Sequence, residues 1–269
     1  MTLHNFTTSV AFLASFALLG GCQEESAQNT EPSKPEVIPH EKTMPDRFAG
    51  KVVKDEQHAY EMIHERLYNA PKTGTLSPET EFIAADSNQS LRLADLHTKQ
   101  PVVLIFGSAS CPNTSANLIP IESLTRRFGS KVKFYFIYLR EAHPRGGFHP
   151  PLNDLYAKAV KHSIKDADSM MERCQTALLF AKSSGLSLRI LIDRMDDAAA
   201  VKWSGWPARL FVIDTDGSVV YSGGQGPWRY NIDGEFIHTK PNPGLTQLLE
   251  QPYEKESLAD FLEKWLATK

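Results

Sequence analysis

The chain contains little cysteine, no surplus of basic residues and no apolar run long enough to span a bilayer. Three cysteines in 269 residues are too few for the disulfide framework of a small secreted domain. The formal net charge is −3, so the basic surplus that indicates binding to nucleic acid is missing. The apolar stretch Val10–Leu19 is shorter than a membrane span. A content of 41% hydrophobic and 23% charged residues is typical of a globular domain with additional segments.

The first 46 residues are predicted to direct export and anchoring. Val10–Leu19 leads into Leu19-Gly20-Gly21-Cys22, which resembles a bacterial lipobox, with small residues before the cysteine. We predict a lipoprotein signal peptide over 1–21, lipidation of Cys22, and a disordered polar tether over 22–46. Because the leader has His4 but no Lys or Arg, an ordinary secretory leader or an uncleaved anchor is the alternative. Each reading places the domain in the cell envelope, and lipidation would attach it to a membrane, facing the periplasm or the exterior.

From about residue 75 the pattern alternates between strands and helices. Pro101–Gly107 and Val132–Leu139 are continuous apolar runs, as in strands buried on both faces. The other predicted elements are strands at Glu81–Ala85, Ser90–Leu93 and Leu188–Ile192, a hairpin of Arg209–Ile213 with Ser218–Ser222, and helices at Asp55–Asn69, Ser115–Phe128 with a kink at Pro120, Asp154–Lys161, Asp168–Ser183 and Ser257–Leu266.

This order, βαβ followed by a helix, a hairpin and a helix, predicts an α/β thioredoxin-like fold. Its central mixed sheet would be flanked by helices and would occupy residues 75–269. Residues 47–74 would form an N-terminal helical extension. Pro207 precedes the hairpin, where thioredoxin-like folds carry a cis proline facing the redox cysteine.

Cys111 is the predicted centre of the site. It follows the strand that ends at Gly107, and Pro112 after it suits the first turn of a helix. The N–H groups and the dipole of a helix start favour negative charge, so we expect Cys111 to ionise near neutral pH and to act as a nucleophile. Thr114 stands where a CxxC dithiol has its second cysteine, so a local disulfide is excluded. A buried structural cysteine is the alternative.

Four ordered segments resemble the iodothyronine deiodinase family. They are Phe106–Pro112, Tyr138–Pro144, Asp193–Asp196 followed by Trp206–Ile213, and Tyr221–Pro227. In that family the position of Cys111 is selenocysteine or, in bacterial relatives, cysteine. The chain departs from animal members at Ala109, at Asn113-Thr114 and at Gln225, where those members carry a second cysteine, an aromatic residue and an arginine.

The resemblance implies a thiol-dependent oxidoreductase that performs reductive dehalogenation or related redox chemistry at Cys111. It implies an external thiol reductant, no cofactor, and a small-molecule substrate of aromatic or halogenated type. Glu141 and His143 would serve substrate binding and proton delivery. They lie two residues apart after a strand that neighbours Cys111, and a carboxylate beside the ring would fix the tautomer of His143. A satisfied structural histidine is the alternative, and a homodimer is left open.

Supporting roles are expected around this centre. Ser108 and Ser110 could hydrogen-bond the thiolate or could simply hold the loop. Cys174 is either a core residue on the apolar stripe Met171, Cys174, Leu178 and Ala181, or the thiol that resolves oxidised Cys111. Trp203, Trp206 and Trp228 either line an aromatic-binding pocket or pack the core. No metal site is predicted, because His143 and His149 lack the spacing of zinc ligands.

Two other functions remain open at this stage. The first is a peroxiredoxin-like thiol peroxidase, in which Cys111 would become a sulfenic acid and Thr114 and Arg209 would stand in for the Thr and Arg of peroxiredoxins. The second is a non-catalytic, tethered thioredoxin-fold module that binds a partner. A slowly reacting thiol with an ordinary pKa would indicate the second.

Overall fold

The structure, a computed structural model, describes residues 48, 50–149, 164–226, 228–234 and 252–269. The chain divides into two units, residues 1–34 and 35–269, and every described residue lies in the second. The predicted signal peptide, Cys22, the tether and the helix Asp154–Lys161 therefore lie outside the described residues. In the described part of the chain, helices are too short or too polar to cross a membrane.

Seven strands form one mixed sheet. They are β1 Glu81–Ala84, β2 Ser90–Arg92, β3 Val102–Gly107, β4 Lys133–Tyr138, β5 Arg189–Ile192, β6 Arg209–Ile213 and β7 Val219–Ser222. Their order in the sheet is β2-β1-β5-β4-β3-β6-β7. Strand β3 is parallel to β4 and antiparallel to β6, which pairs with β7. A parallel pair continued by an antiparallel hairpin is the thioredoxin-like arrangement, so the predicted fold is confirmed.

The described residues also form seven α-helices. They are α1 Glu56–Arg66, α2 Leu93–Leu96, α3 Pro112–Ala116, α4 Leu118–Phe128, α5 Met170–Ser184, α6 Ala198–Lys202 and α7 Leu258–Ala267. The start of α1 is capped by Asp55, whose side chain accepts from the N–H of His58 at 2.8 Å. Ser257 caps α7 in the same way, accepting from the N–H of Asp260 at 3.1 Å. The short helices α2 and α6 were not predicted, because four or five residues carry too little periodicity.

The helix after Cys111 differs from the prediction. The sequence predicted a single helix over Ser115–Phe128 with a kink at Pro120, whereas the chain forms α3 and then, after Asn117, α4. Pro120 lies in the first turn of α4, where its missing N–H leaves no hydrogen bond unmade. The break therefore falls before the proline.

The central strands set the position of the site. Every residue of β3 and of β6 is buried, as the continuous apolar pattern of β3 predicted. Because β3 and β4 are parallel and pair Gly107 with Tyr138, their carboxyl ends lie side by side. In open α/β sheets this edge is where ligands bind.

The three tryptophans considered for an aromatic-binding pocket pack the core. Trp203 is completely buried, contacts the ring of Phe106 in a tilted geometry and that of Phe211 edge-to-face, and donates from Nε1 to Thr80 Oγ1 at 2.9 Å. Trp206 and Trp228 are 4% and 7% exposed. The alternative that these side chains line an open aromatic-binding pocket is wrong for this geometry.

Candidate active site

Cys111 is the N-terminal capping residue of α3 and is nearly inaccessible. Its backbone is extended, with φ −79° and ψ 119°, and Pro112 occupies the first helical position. The carbonyl of Cys111 accepts from the N–H of Ser115 at 3.1 Å, and its own N–H donates to Ser108 O at 3.2 Å. The side chain is only 2% exposed. The predicted strand-to-helix position is correct.

The expectation that Cys111 ionises near neutral pH is wrong for this geometry. Burial is the largest influence and raises the pKa of the Cys111 thiol above its ordinary value. The backbone N–H and hydroxyl of Thr114 and the backbone N–H of Asn113 lower that pKa by smaller amounts, and the charge of Glu141, the smallest of these influences, raises it. Desolvation of a buried sulfur thus outweighs the helix start. The direction of this shift favours the neutral thiol over the thiolate.

Hydrogen bonds join the segment after β3 to the segment after β4. The N–H of Leu139 donates to Gly107 O at 2.9 Å, and the N–H of Ala142 donates to Ser108 Oγ at 3.1 Å. The N–H of His143 donates to Ser110 Oγ at 3.0 Å. The two serines therefore hold the loop; the alternative that they hydrogen-bond the thiolate is not what these contacts show. Residue 143 is consequently fixed beside the residue that precedes Cys111.

The carboxylate of Glu141 is buried within the same network. One oxygen accepts from the N–H and the hydroxyl of Ser110, at 2.8 and 2.5 Å, and the other accepts from the hydroxyl of Tyr138. Burial raises the pKa of Glu141, although the bonds from Ser110 and Tyr138 oppose that shift. Glu141 is 2% exposed, so its carboxylate is not accessible to a substrate. Its contacts hold the loop that contains Ser110, the residue before Cys111.

His143 is half-buried and is oriented by a carbonyl. Its Nδ1 lies 3.0 Å from Phe148 O, and because a carbonyl only accepts, the neutral ring carries its proton on Nδ1. Nε2 is then the basic nitrogen. The expectation that Glu141 fixes the tautomer of His143 is wrong, because the Glu141 oxygens bind Ser110 and Tyr138.

A buried ion cluster lies next to this network and was missed from the sequence. We call it the Asp197 cluster; its members are Arg66, Arg140, Arg173, Asp166, Asp193 and Asp197. Arg140 donates to Asp197 Oδ2 at 3.2 Å, while Arg66 and Arg173 lie 3.6 and 3.9 Å from the Asp197 carboxylate. Arg140 also contacts Asp166 at 3.4 Å, and Asp166 accepts from the N–H of Glu141 at 3.0 Å. The cluster thus reaches the Glu141 segment.

The Asp197 cluster also forms hydrogen bonds with residues of the N-terminal extension. Arg140 donates to Phe48 O at 3.0 Å, and the N–H of Gly50 donates to Asp197 at 3.2 Å. Asp197 has a φ of +57°, in the left-handed region that Asp tolerates better than most residues. Asp193 accepts from the N–H groups at the start of α6, and burial beside Asp197 raises its pKa to about 7. These arginines follow no apolar periodicity along the chain, so the sequence pattern did not predict that they are buried.

Gln225 and Arg209 are committed to contacts within the protein. Gln225 is 4% exposed; its Oε1 accepts from Ser204 and Arg209, and its Nε2 donates to the carbonyl of Trp206. The guanidinium of Arg209 also donates to Gly223 O at 2.8 Å, and burial lowers its pKa to about 9. The guanidinium of Arg209 is thus bonded to Gly223 O and Gln225 Oε1. These contacts do not pair it with the sulfur of Cys111, as the peroxidase interpretation requires.

Two further predicted residues are placed as follows. The Trp206–Pro207 peptide bond is cis, as the comparison with thioredoxin-like folds predicted. Cys174 is a free thiol, as is Cys111, and lies on the buried face of α5.

The predicted apolar stripe around Cys174 is wrong at Met171 and Leu178, whereas Ala181 packs against the core as predicted. Met171 and Leu178 are 68% and 42% exposed. The buried face of α5 is instead Arg173, Cys174, Ala177 and Phe180, because Arg173 turns inward to its ion partner and to the carbonyls of Asp193 and Arg194. Whether Cys174 resolves Cys111 stays a prediction.

A cavity of about 480 Å³ opens beside Ala109, lined mainly by α5 and by residues 164–167. It reaches Ala109 and Asp166 but not Cys111. Among the described residues, no group of three His, Cys, Asp or Glu side chains could hold a metal ion.

The chain is similar in sequence to known proteins. A family model for iodothyronine deiodinase matches residues 51–238. A thyroxine 5-deiodinase of Gallus gallus is 28% identical over 167 residues, which are 62% of this chain and 61% of that protein. A type II iodothyronine deiodinase of Sus scrofa is 30% identical over 136 residues, 50% and 49% of the two chains. The chain therefore spans about half to three fifths of the length of these relatives.

Solved structures give weaker matches. The thioredoxin domain of a thiol-disulfide oxidoreductase from Bacteroides vulgatus is 15% identical, with a TM-score of 0.37 over 58% of this chain and 91% of that one. A conserved protein from Geobacillus kaustophilus is 16% identical, with a TM-score of 0.41 over 69% and 87%. Similarities at this level carry no argument about the site.

Proposed function

This chain belongs to the iodothyronine deiodinase family, and we propose that it is a thiol-dependent oxidoreductase in which Cys111 removes a halogen from a small aromatic substrate. One observation supports the assignment of residues most directly. Ser110, the neighbour of Cys111, binds the Glu141 carboxylate and the backbone of His143 at once. The family segments that carry the cysteine and the histidine are thereby held together.

The proposed reaction starts from the neutral thiol. His143 takes the proton of Cys111 on Nε2 while Nδ1 remains bonded to Phe148 O. The thiolate attacks the iodine of an iodinated phenol, an S–I bond forms and the C–I bond breaks. The electron pair of that bond stays on the ring carbon, which takes the proton back from His143.

An external thiol then restores the enzyme. One thiol displaces iodide from the sulfur and forms a mixed disulfide with Cys111. A second thiol releases Cys111 and leaves as a disulfide. The sum is one iodinated phenol and two thiols giving the phenol without iodine, a disulfide, iodide and a proton, so no cofactor is required.

The charge around Gln225 bears on the choice of substrate. Animal members are implied to hold the iodothyronine with an arginine at this position, whereas Gln225 is neutral, buried and bonded to Ser204, Arg209 and Trp206. The neighbouring cation, Arg209, is buried and bonded to Gly223 O and Gln225 Oε1, so neither residue offers a substrate carboxylate an exposed cation. We therefore propose a halogenated phenol without a charged side chain as the substrate class.

We also propose that Cys22 is lipidated and that the domain is held at the cell envelope by the tether over 22–46. Support comes from the Leu19-Gly20-Gly21-Cys22 sequence alone. Mass spectrometry of the mature N-terminus tests this proposal. A diacylglyceryl group on Cys22 would support it, and an unmodified or uncleaved Cys22 would contradict it.

The proposed activity is tested by measuring iodide release from a diiodophenol in the presence of dithiothreitol. Cys111→Ser should lower the rate by about 10³-fold or more, because the nucleophile is lost. His143→Gln should lower it by about 10²-fold, the usual contribution of a proton-transferring residue. Each variant is compared at an unchanged melting temperature.

Iodide release that survives in Cys111→Ser would overturn the proposal. The same protein is also treated with hydrogen peroxide and analysed for a sulfenic acid on Cys111. Rapid sulfenate formation without any iodide release would favour the peroxidase alternative. An inert Cys111 in both assays would favour the binding module.

A further inference from the structure

The loop after His143, residues 144–148, orients the His143 ring, and we call it the histidine loop. Its last residue, Phe148, places its carbonyl oxygen 3.0 Å from His143 Nδ1. In a neutral histidine, the bond made by one ring nitrogen decides which of the two carries the proton. The proposed reaction needs Nε2 without a proton, because Nε2 takes the proton of Cys111. The position of Phe148 O therefore decides whether His143 can act as the base.

The N-terminal extension holds the histidine loop in place. We call its residues 50–54, which directly precede Asp55 and α1, the strap. Within the strap only Val53 is buried, at 1% exposure. The N–H of Phe148 donates to Val53 O at 2.9 Å. The residue whose carbonyl faces His143 is thus bonded, through its own N–H, to the strap.

Gly147 allows the strap and the histidine loop to approach closely. A Cβ placed on Gly147 would lie 2.8 Å from Val53 O and 2.8 Å from Pro144 Cγ. Gly147 is not among the glycines with a left-handed backbone, so its conformation alone would accept a side chain. What a side chain would disturb is the contact between the loop and the strap.

The other end of the strap is bonded to the Asp197 cluster. The N–H of Gly50 donates to Asp197 Oδ2 at 3.2 Å. Gly50 has a φ of +69°, a conformation that glycine adopts without steric cost. The strap therefore joins a buried ion cluster, at Gly50, to the histidine loop, at Val53.

We propose that the strap is a positioning element of the active site, which through Val53 O and Phe148 O keeps the proton of His143 on Nδ1. Val53 is a positioning residue, because it acts through Phe148 and not on the substrate. The inference rests on the proposed function in taking His143 as the base for Cys111. It gives the N-terminal extension, for which the sequence pattern predicts no role, a part in the chemistry.

The physical basis is the choice between two neutral tautomers. With Phe148 O in place, the Nδ1–H form gains a hydrogen bond that the Nε2–H form lacks. One such bond changes the ratio of the two forms by about threefold to tenfold. The Nε2–H form cannot accept a proton from Cys111, because its Nε2 already carries one. Release of the strap should therefore reduce the fraction of His143 that can act as a base.

Gly50→Pro tests the proposal from a position far in sequence from His143. Proline cannot adopt a φ of +69° and has no N–H to donate to Asp197. Gly74→Pro is the matched control. Gly74 is also exposed, has a φ of +88°, and donates its N–H to Val219 O at 2.8 Å. The two substitutions impose the same change of backbone, but only the first acts on the strap.

The tautomer is read from the ¹⁵N NMR signals of the His143 ring in the full chain, assigned by their loss in His143→Gln, at a pH where the ring is neutral. Gly50→Pro should lower the ratio of the Nδ1–H to the Nε2–H form by about threefold to tenfold. It should also speed hydrogen exchange of the Phe148 amide, whose bond to Val53 O is released. Gly74→Pro should change neither quantity.

Gly147→Ala is a second variant that separates the loop from the strap without touching Asp197, and it should shift the tautomer ratio in the same direction. A ratio that stays unchanged in both Gly50→Pro and Gly147→Ala, or that falls equally in Gly74→Pro, would overturn the proposal. Neither readout needs a substrate. A strap that sets the tautomer in a protein that releases no iodide would therefore overturn the proposed function and leave this inference standing.

Discussion

The Asp197 cluster and the surroundings of Cys111 are two buried polar regions of the same domain, and they differ in how they use charge. In the Asp197 cluster three guanidinium groups face three carboxylates, and Asp197 alone lies within 4 Å of all three arginines. Around Cys111 the groups that lower the pKa of the buried thiol carry no charge: they are the hydroxyl of Thr114 and the backbone N–H groups of Thr114 and Asn113. One region sets charge against charge, while the other surrounds a thiol with neutral hydrogen-bond donors.

The difference separates a role in holding the fold from a role in chemistry. Paired buried charges lose much when one partner is removed, because the remaining charge has no water to return to. Removal of a neutral donor beside Cys111 leaves no uncompensated charge, but it changes the pKa of the thiol on which that donor acts. Variants in the first region should therefore change stability, and variants in the second should change the pKa of Cys111 and the rate.

The largest effect on stability is expected from Asp197→Ala. Its removal leaves Arg66, Arg140 and Arg173 with an uncompensated buried charge, which should lower the free energy of unfolding by about 3–5 kcal/mol. Chemical denaturation followed by circular dichroism measures the change. Asp196→Ala is the control, since Asp196 is 57% exposed and pairs only at the surface with Arg194; it should change stability by about 0.5 kcal/mol or less. Equal losses in the two variants would contradict the comparison.

The sequence predicted the fold far better than it predicted this cluster. Continuous apolar runs located β3 and β4, and the helix-start residues Cys111 and Pro112 located the site. Arg66, Arg140 and Arg173 looked like surface residues, because sequence periodicity describes apolar faces. Burial of an arginine depends on a carboxylate brought from elsewhere in the chain, here Asp197, which lies 57 residues from Arg140.

An intermediate effect is expected at Glu141, which belongs to the Cys111 side of the comparison but carries a charge. Glu141→Ala leaves the Ser110 N–H, the Ser110 hydroxyl and the Tyr138 hydroxyl without their acceptor, which should cost about 2–3 kcal/mol. Glu141→Gln keeps an acceptor for Ser110 and should cost about 1 kcal/mol or less. Because the Glu141 charge raises the pKa of Cys111, Glu141→Gln should lower that pKa. A rise would contradict the assignment.

The same variant changes how stability depends on pH. Burial raises the pKa of folded Glu141, so its contribution to stability is present below the unfolded pKa and is lost as pH rises through the folded pKa. Glu141→Gln should remove that loss. Melting temperatures of the two proteins from about pH 4 to pH 8 measure it, and parallel curves would show that Glu141 does not titrate with folding.

The hydrogen-bond partners of Glu141 and His143 could not be predicted from the sequence for a related reason. The two-residue spacing of Glu141 and His143 suggested that both side chains point at the substrate, and the family resemblance suggested that one orients the other. In the folded chain Ser110 and Tyr138 donate to the buried Glu141 carboxylate, and the His143 ring hydrogen-bonds to Phe148 O. Local spacing cannot report which of several nearby polar groups becomes the partner.

The smallest effect is expected at Cys174, the second buried thiol. Burial raises its pKa, and the only other cause is the charge of Arg173, which lowers it; hydrogen-bond donors like those around Cys111 do not contribute. Cys174→Ala should therefore cost about 1 kcal/mol or less, as the loss of a small buried side chain, and should leave thiol-dependent iodide release within about twofold of the natural rate.

Steady-state rates at several dithiothreitol concentrations provide the sharper measurement. If Cys174 resolves oxidised Cys111, its removal should slow turnover most at low dithiothreitol, where an internal thiol competes best with an external one. A rate loss of that form would place Cys174 in the chemistry and would show that burial without donors does not make a cysteine merely structural.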